Sequence, residues 1–186
     1  MKELRAPLKK KDVLSLKAGD IVFISGNVIT ARDAAHQKML KSKHIPFSAN
    51  VIFHAGPVTR KTKRGFEVTA IGPTTSARMN SLAPEVVERF HVRAVIGKGG
   101  MGRKVLNALH GKAVYFAFTG GCAASGAAQV KKVNSVHWPE LGAPESVWSL
   151  EVEKLGPLVV AMDAHGRDLF QKVRKLAQKK KKKLVK

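Results

Sequence analysis

Three cations stand beside glycines and hydroxyls where apolar runs end: Arg32 in TARD, Arg78 in GPTTSARM (residues 72–79) and Lys98 in GKGG. Arginine offers a planar fork that fits a carboxylate bidentately, and lysine supplies a compact point charge. Gly97, Gly99 and Gly100 around Lys98 let main-chain N–H groups approach an anion at a helix start. Thr74, Thr75 and Ser76 add neutral donors. Such a set suits a small molecule with two carboxylates. Taken singly, each cation is better explained as a surface charge or a helix-end partner; their joint placement favours a site. Asp33 and His36, three apart in TARDAAH, are expected to orient Arg32 from behind rather than to carry the chemistry.

The elements that must position these residues follow from periodicity and turn signals. GDIVFISGNVIT (19–30) reads as a strand pair or a strand bent at Gly26, followed by a helix over ARDAAHQKML. NVIFHAG and FEVTAI read as strands, with KTKRG (61–65) as an exposed basic turn between them. PEVVERF reads as a short helix with Pro84 in its first turn. VRAVIGKGGMGRKVLNALHG gives strand, glycine loop and helix, stopped by Gly111, and AVYFAFTGGCAASGAAQVKKV repeats that layout. VWSLEVEKLGPLVVAMDAHG reads as two strands and a turn containing Asp163 and His165. In the closing helix Leu169, Phe170, Val173 and Leu176 share a face. Strands alternating with helices predict an α/β domain. Ligands of such sheets bind outside the carboxyl ends of the strands. TARD, GPTTSAR, GKGG and TGG all fall at such ends.

Composition narrows the class. A chain of 186 residues with 44% hydrophobic residues can bury one proper core. No apolar run approaches the ~20 residues of a membrane span, and the charged N-terminus has no secretory h-region. One cysteine, Cys122, suits a reducing cytoplasm and is expected to be a small packing residue. His36, His54 and His165 are scattered along the chain, so no metal site is expected on it. The net charge is +21, but residues 172–186 carry nine Lys or Arg without an acid and residues 1–11 a net of four, leaving eight on the body. The basicity is largely peripheral, and Lys179–Lys183 reads as a solvated helix end. An RNA-binding module stays open as an alternative on charge. Against it, the run before GKGG looks like a strand, where a KH loop joins helices, and no stacking aromatics adjoin it.

SGNVITARDAAH, AGPV, AIGPTTSARM, VIGKGG, TGGCAA and ELGAPESVWSLEVE…PLVVAMDAHGRDLF, in this order, resemble the β subunit of class I fumarate hydratases. The same module is the β subunit of L-tartrate dehydratase and the C-terminal region of single-chain class I fumarases. The resemblance covers about residues 19–170. It implies a swivelling β/β/α three-layer domain over residues 19–171, flanked by a basic N-terminal segment (1–18) and a Lys-rich tail (172–186). It also implies a hydro-lyase using a 4Fe–4S cluster held by three cysteines of an α subunit, in an assembly of two α and two β subunits. This chain would bind no cofactor itself and would be inactive alone. Fumarate hydration is the expected reaction, with L-tartrate dehydration as the alternative. By the same resemblance Arg32, Arg78 and Lys98 bind substrate carboxylates and Thr74 is the candidate base, while Thr75, Gly97 and Gly99 are expected to help bind substrate as the neutral donor and glycines described above.

Overall fold

The computed structural model describes residues 1–63 and 65–184. Arg64, in the expected basic turn, and Val185 and Lys186, at the end of the expected tail, lie outside the described residues. The strands are β1 (Lys2–Arg5), β2 (Ile21–Thr30), β3 (Val51–Phe53), β4 (Val58–Thr62), β5 (Gly65–Ala70), β6 (Ala94–Gly97), β7 (Val114–Ala117), β8 (Val130–His137) and β9 (Val147–Met162). The helices are α1 (Lys10–Leu14), α2 (Asp33–Lys41), α3 (Ala83–Arg89), α4 (Arg103–Leu109), α5 (Ala123–Ala128) and α6 (Leu169–Leu184).

Seven strands form one sheet in the order β1-β2-β3-β6-β7-β9-β8, and β4 and β5 form a separate hairpin. The large sheet curls onto itself. Strand β2 runs parallel to β3 on one side and antiparallel to β9 on the other, while β9 also pairs with β7. Closure satisfies strand edges that would otherwise be left unpaired. Alternation along each strand then divides the apolar residues between two cores. Phe53, Ile96 and Phe116 face the core enclosed by the curl, with Leu150 and Val160 of β9. Ile52, Val95 and Tyr115 face outward onto a helical layer that includes Met39, Val87 and Val105 from α2, α3 and α4. Two β layers and one helical layer result, the α/β arrangement expected.

The structure departs from the sequence reading at β9 and at the unforeseen β8, and it decides between the alternatives left open at Gly26. The stretch expected to form two strands is one strand, β9, of 16 residues. Its Gly156–Pro157 break is absorbed as a register shift against β2, where Val22 faces Leu158 but Ile24 faces Leu155. Likewise β2 is continuous through Gly26, whose φ is +102° and where a Cβ would sit 2.6 Å from the Ala6 carbonyl oxygen. A bulge accommodates the odd residue at less cost than ending the ladder. At the termini, residues 2–5 enter the sheet as β1, parallel to β2, and Val13 and Leu16 are buried. Helix α6 runs on into the Lys-rich tail with no buried residue, its Val173 and Leu176 more than half exposed at 56% and 52%.

Candidate active-site edge

The positioning of the site begins with parallel pairing. The ends of β2, β3, β6 and β7 are in register, Thr30 beside Phe53, Phe53 beside Ile96, and Gly97 beside Ala117. The loops carrying Arg32 and Lys98 therefore leave one edge of the sheet. GPTTSAR follows β5, outside that sheet, yet is stitched into the same edge by main-chain bonds. Ala55 bridges Pro73, and Thr75 bridges Lys98. Thr74 N–H donates to the His54 carbonyl at 2.7 Å, Lys98 N–H to the Thr74 carbonyl at 3.1 Å, and Ser76 N–H to the Lys98 carbonyl at 3.0 Å. A short 3-10 turn, Ser76–Met79, then carries Arg78, with Met79 fully buried beneath it. Burying such a side chain contributes about 2 kcal/mol toward holding the turn down.

The two arginines are ion-paired within the chain. Arg78 Nη2 lies 2.6 Å from Asp33 Oδ2, and Arg32 Nε lies 3.1 Å from Glu145 Oε1. Neither Arg32 Nε nor Asp33 Oδ2 has an aligned hydrogen-bond partner, although both atoms are buried. Asp33 thus orients Arg78, not the neighbouring Arg32 as the sequence suggested. Glu145 lies within the ELGAPES motif but was not singled out as a site residue. Its second oxygen accepts the Ala34 N–H at 3.0 Å, placing a carboxylate at the start of α2 where the helix dipole favours it. Among the described residues Lys98 makes no ion pair, and it is exposed. Its aliphatic stem passes Gly120 so closely that a Cβ there would meet Lys98 Cδ at 3.0 Å.

The other expected positions divide into surface and interior. Thr74 is half-buried and Thr75 exposed, and Gly99 adopts a left-handed φ of +76° with open space beside it. Ser76 was expected to offer its hydroxyl to a ligand; it is fully buried and bonds His54 Nδ1 at 2.9 Å instead. That packing explains Gly97, where a Cβ would fall 1.8 Å from Ser76 Oγ. His36 is buried and donates Nδ1–H to the Arg32 carbonyl at 2.9 Å, so it supports the Arg32 main chain and not its guanidinium. Sequence spacing gives no sign that His36 and His54 meet, yet their rings stand edge to face with centroids 5.1 Å apart. Burial holds both imidazoles below their ordinary pKa, His54 well below it, with the neighbouring His36 adding to the effect on His54.

The chain's own donors do not fit an iron–sulfur cluster. Its one cysteine, Cys122, donates Sγ–H to the Thr119 carbonyl at 2.8 Å, and among the described residues no three His, Cys, Asp or Glu side chains are grouped to hold a metal ion. His165 lies elsewhere, against the Leu14 carbonyl, and Asp163 closes the expected turn by accepting from His165 N–H and Arg167 N–H. A groove of about 800 Å³ opens between the hairpin and β8, lined by Phe66, Val68 and Val130. No helix among the described residues is long and apolar enough to cross a membrane.

Comparison with known proteins gives this edge its context. The chain is 46% identical to a Methanocaldococcus jannaschii protein named "Putative L(+)-tartrate dehydratase subunit beta", over 96% of this chain and 95% of that one. It is 41% identical to the L(+)-tartrate dehydratase subunit beta of Escherichia coli, over 94% of this chain and 89% of that one. It is also 41% identical to a Geobacillus stearothermophilus protein named "Putative fumarate hydratase class I", matching 95% of this chain but 35% of that longer protein. The sequence profile of the family described as Fumarase C-terminus matches residues 2–173. With nearly the whole chain matched, it belongs to the Fumarase C-terminus family.

Proposed function

We propose that the chain is the β subunit of a C4-dicarboxylate hydro-lyase, contributing substrate-gripping cations to a site completed by an α subunit. The observation that carries this reading is the stitching of the Arg32, Thr74–Arg78 and Lys98 segments into one sheet edge. Arg32 and Arg78 supply forks for carboxylates and Lys98 a mobile charge. Removing a proton beside a carboxylate builds aci-carboxylate charge, which preformed cations stabilise as it develops. Thr74 is the proton-handling candidate at the same edge. A threonine hydroxyl needs an activating neighbour, and that role is assigned to the partner. The 4Fe–4S cluster of such enzymes is likewise assigned to the partner's thiolates, since the donors of this chain do not fit it.

Fumarate hydration to malate is the first reading, and the motifs of the sequence support it. L-tartrate dehydration is the second, favoured by the names of the M. jannaschii and E. coli relatives. The substrates differ at a single hydroxyl, so competition decides between them. The chain is co-expressed with a three-cysteine partner and kcat/KM is measured for L-malate, fumarate and L-tartrate. The first reading expects malate and fumarate to lead by tenfold or more, on the scale of discrimination that one hydroxyl contact gives. A lead for tartrate establishes the second reading, and no turnover of any of the three ends both.

A further inference from the structure

Strand β9 runs antiparallel to β2, with Ser149 opposite Ile29, so the loop entering β9 must arrive where β2 ends. It is fastened there. Thr30, buried at the end of β2, donates its hydroxyl to the Ser146 carbonyl at 3.3 Å and accepts the Trp148 N–H at 3.0 Å. The loop also closes on itself. The N–H groups of Glu145 and Ser146 both donate to the Gly142 carbonyl, at 3.0 and 2.8 Å, and the Trp148 indole N–H donates to the Ala143 carbonyl at 2.8 Å. Residues 142–146 thus form a clip, its place set by Thr30 just before Arg32.

Glu145 reaches from this clip to two groups. Oε2 accepts the Ala34 N–H, and Oε1 stands 3.1 Å from Arg32 Nε, the two side chains of that pair being only 22% (Arg32) and 21% (Glu145) exposed. A carboxylate favouring the start of α2 needs only the first contact. The second falls on the inner nitrogen of the guanidinium. Arginine carries five N–H donors in one rigid plane, so a partner at Nε fixes the plane while Nη1 and Nη2 keep donors for another carboxylate. Gly56 leaves the space this needs: a Cβ there would lie 2.5 Å from the Pro144 carbonyl oxygen and 3.0 Å from Arg32 Nη1. Arg78 is held differently, by Asp33 at its Nη2.

We infer that Glu145 is a positioning residue: from the 142–146 clip it fixes Arg32 through Nε and presents the Nη end of the guanidinium to a substrate carboxylate. The inference rests on the proposed hydro-lyase reading for its kinetic consequence, while the hold on Arg32 is read without activity. Glu145→Gln keeps an oxygen for the Ala34 N–H and removes the charge. In the assembled enzyme it should lower kcat roughly tenfold or more, since misplacing a gripping group by about an ångström costs on the order of 10²-fold in rate. KM should change by less than about threefold, because the Arg32 charge stays at the edge. Arg32→Met should lower kcat and raise KM together. The double variant should be no slower than Arg32→Met alone, as Glu145 acts only through Arg32.

A second readout is solvent exchange of the Arg32 Nε–H, followed by nitrogen NMR in the full chain alone. It should quicken roughly tenfold in Glu145→Gln, while the Ala34 amide stays within about threefold of wild type. If the wild-type complex shows no hydro-lyase turnover, the functional reading fails and the exchange experiment alone decides the positioning role. Unchanged Nε–H exchange overturns that role. Equal quickening of the Arg32 Nε–H and the Ala34 amide overturns it too, because Glu145 would then merely hold the start of α2. So does an active complex in which Glu145→Gln turns over like wild type, or in which the double variant is slower than Arg32→Met.

Discussion

Arg78 is the more exposed of the two paired arginines. Its side chain is 47% exposed and Asp33 is 28% exposed, and an ion pair in that setting is worth about 0–1 kcal/mol. A substrate carboxylate can share the half-exposed guanidinium with Asp33, whose buried Oδ2 stays paired to it. Lys98 has no ion-pair partner to share among the described residues. Arg78→Met and Lys98→Met should each lower kcat/KM of the assembled enzyme by roughly 10² or more, with both kcat and KM affected, if each removes ~3 kcal/mol of charge-assisted contact. Thr74→Val keeps shape and removes only the hydroxyl. A proton-transfer role predicts a kcat loss of ~10² with KM little changed, whereas a binding role would raise KM and spare kcat. Steady-state kinetics on complexes with verified cluster content distinguish them. The histidines make a separate prediction. His36 and His54 titrate below their ordinary value of 6.5 when folded, so under more acidic conditions the unfolded chain binds more protons. Stability should therefore fall as pH drops below about 6.5, by up to about 1.4 kcal/mol per pH unit for each histidine. The groups that meet the pair are the Arg32 carbonyl and Asp33 at the start of α2, beside His36, and the Ser76 hydroxyl bonded to His54. Asp33 opposes the shift of His36 without reversing it. Denaturant unfolding at stepped pH should show a shallower acid slope for His54→Asn than for wild type; equal slopes would contradict a neutral buried His54.

At the scale of elements, parallel strands ending in register account for the site, and this much was legible in the sequence. Glycine clusters after apolar runs marked the ends of β6 and β7 and TARD that of β2, and α2 and α4 began within a few residues of where turn and capping signals put them. What was not legible is long-range. Gly156 and Pro157 look like a strand end, because only the partner β2 shows that a bulge can absorb them. Ser76 looks like a surface hydroxyl, because its burial depends on the absent side chain of Gly97, 21 positions later in the chain. Glu145 is ordinary until α2 folds against it. Helix α6 contributes less to the site than its composition invites one to think. Its Phe170 touches the edge of the GKGG loop, packing 3.4 Å from where a Gly100 Cβ would be, but the lysines beyond are exposed. Charges remote from a site are screened within about 10 Å at ordinary salt. Deleting residues 179–186 should leave turnover of the assembled enzyme within roughly twofold. A collapse of turnover with assembly intact would give the tail a direct part in the site.

For the whole molecule, the curled sheet and its helical layer bring the candidate cations Arg32, Arg78 and Lys98 to one edge. Three cations against Asp33 and Glu145 leave that edge positive, ready for an anion but without the thiolates a cluster requires. The resemblance carried by the motif order implies a partner that holds the cluster, because the single Cys122 could not serve as three ligands. The identity of the substrate was not legible, since the hydroxyl that separates malate from tartrate would meet groups on the partner as well. The central claim is that this chain is one half of a shared active site. The most direct measurement is dicarboxylate turnover by the chain alone, by a three-cysteine partner alone, and by the two mixed after anaerobic iron and sulfide reconstitution. The account predicts turnover only in the mixture, with cluster absorbance following the partner and never the isolated chain. Turnover or a stable cluster in this chain by itself would contradict it.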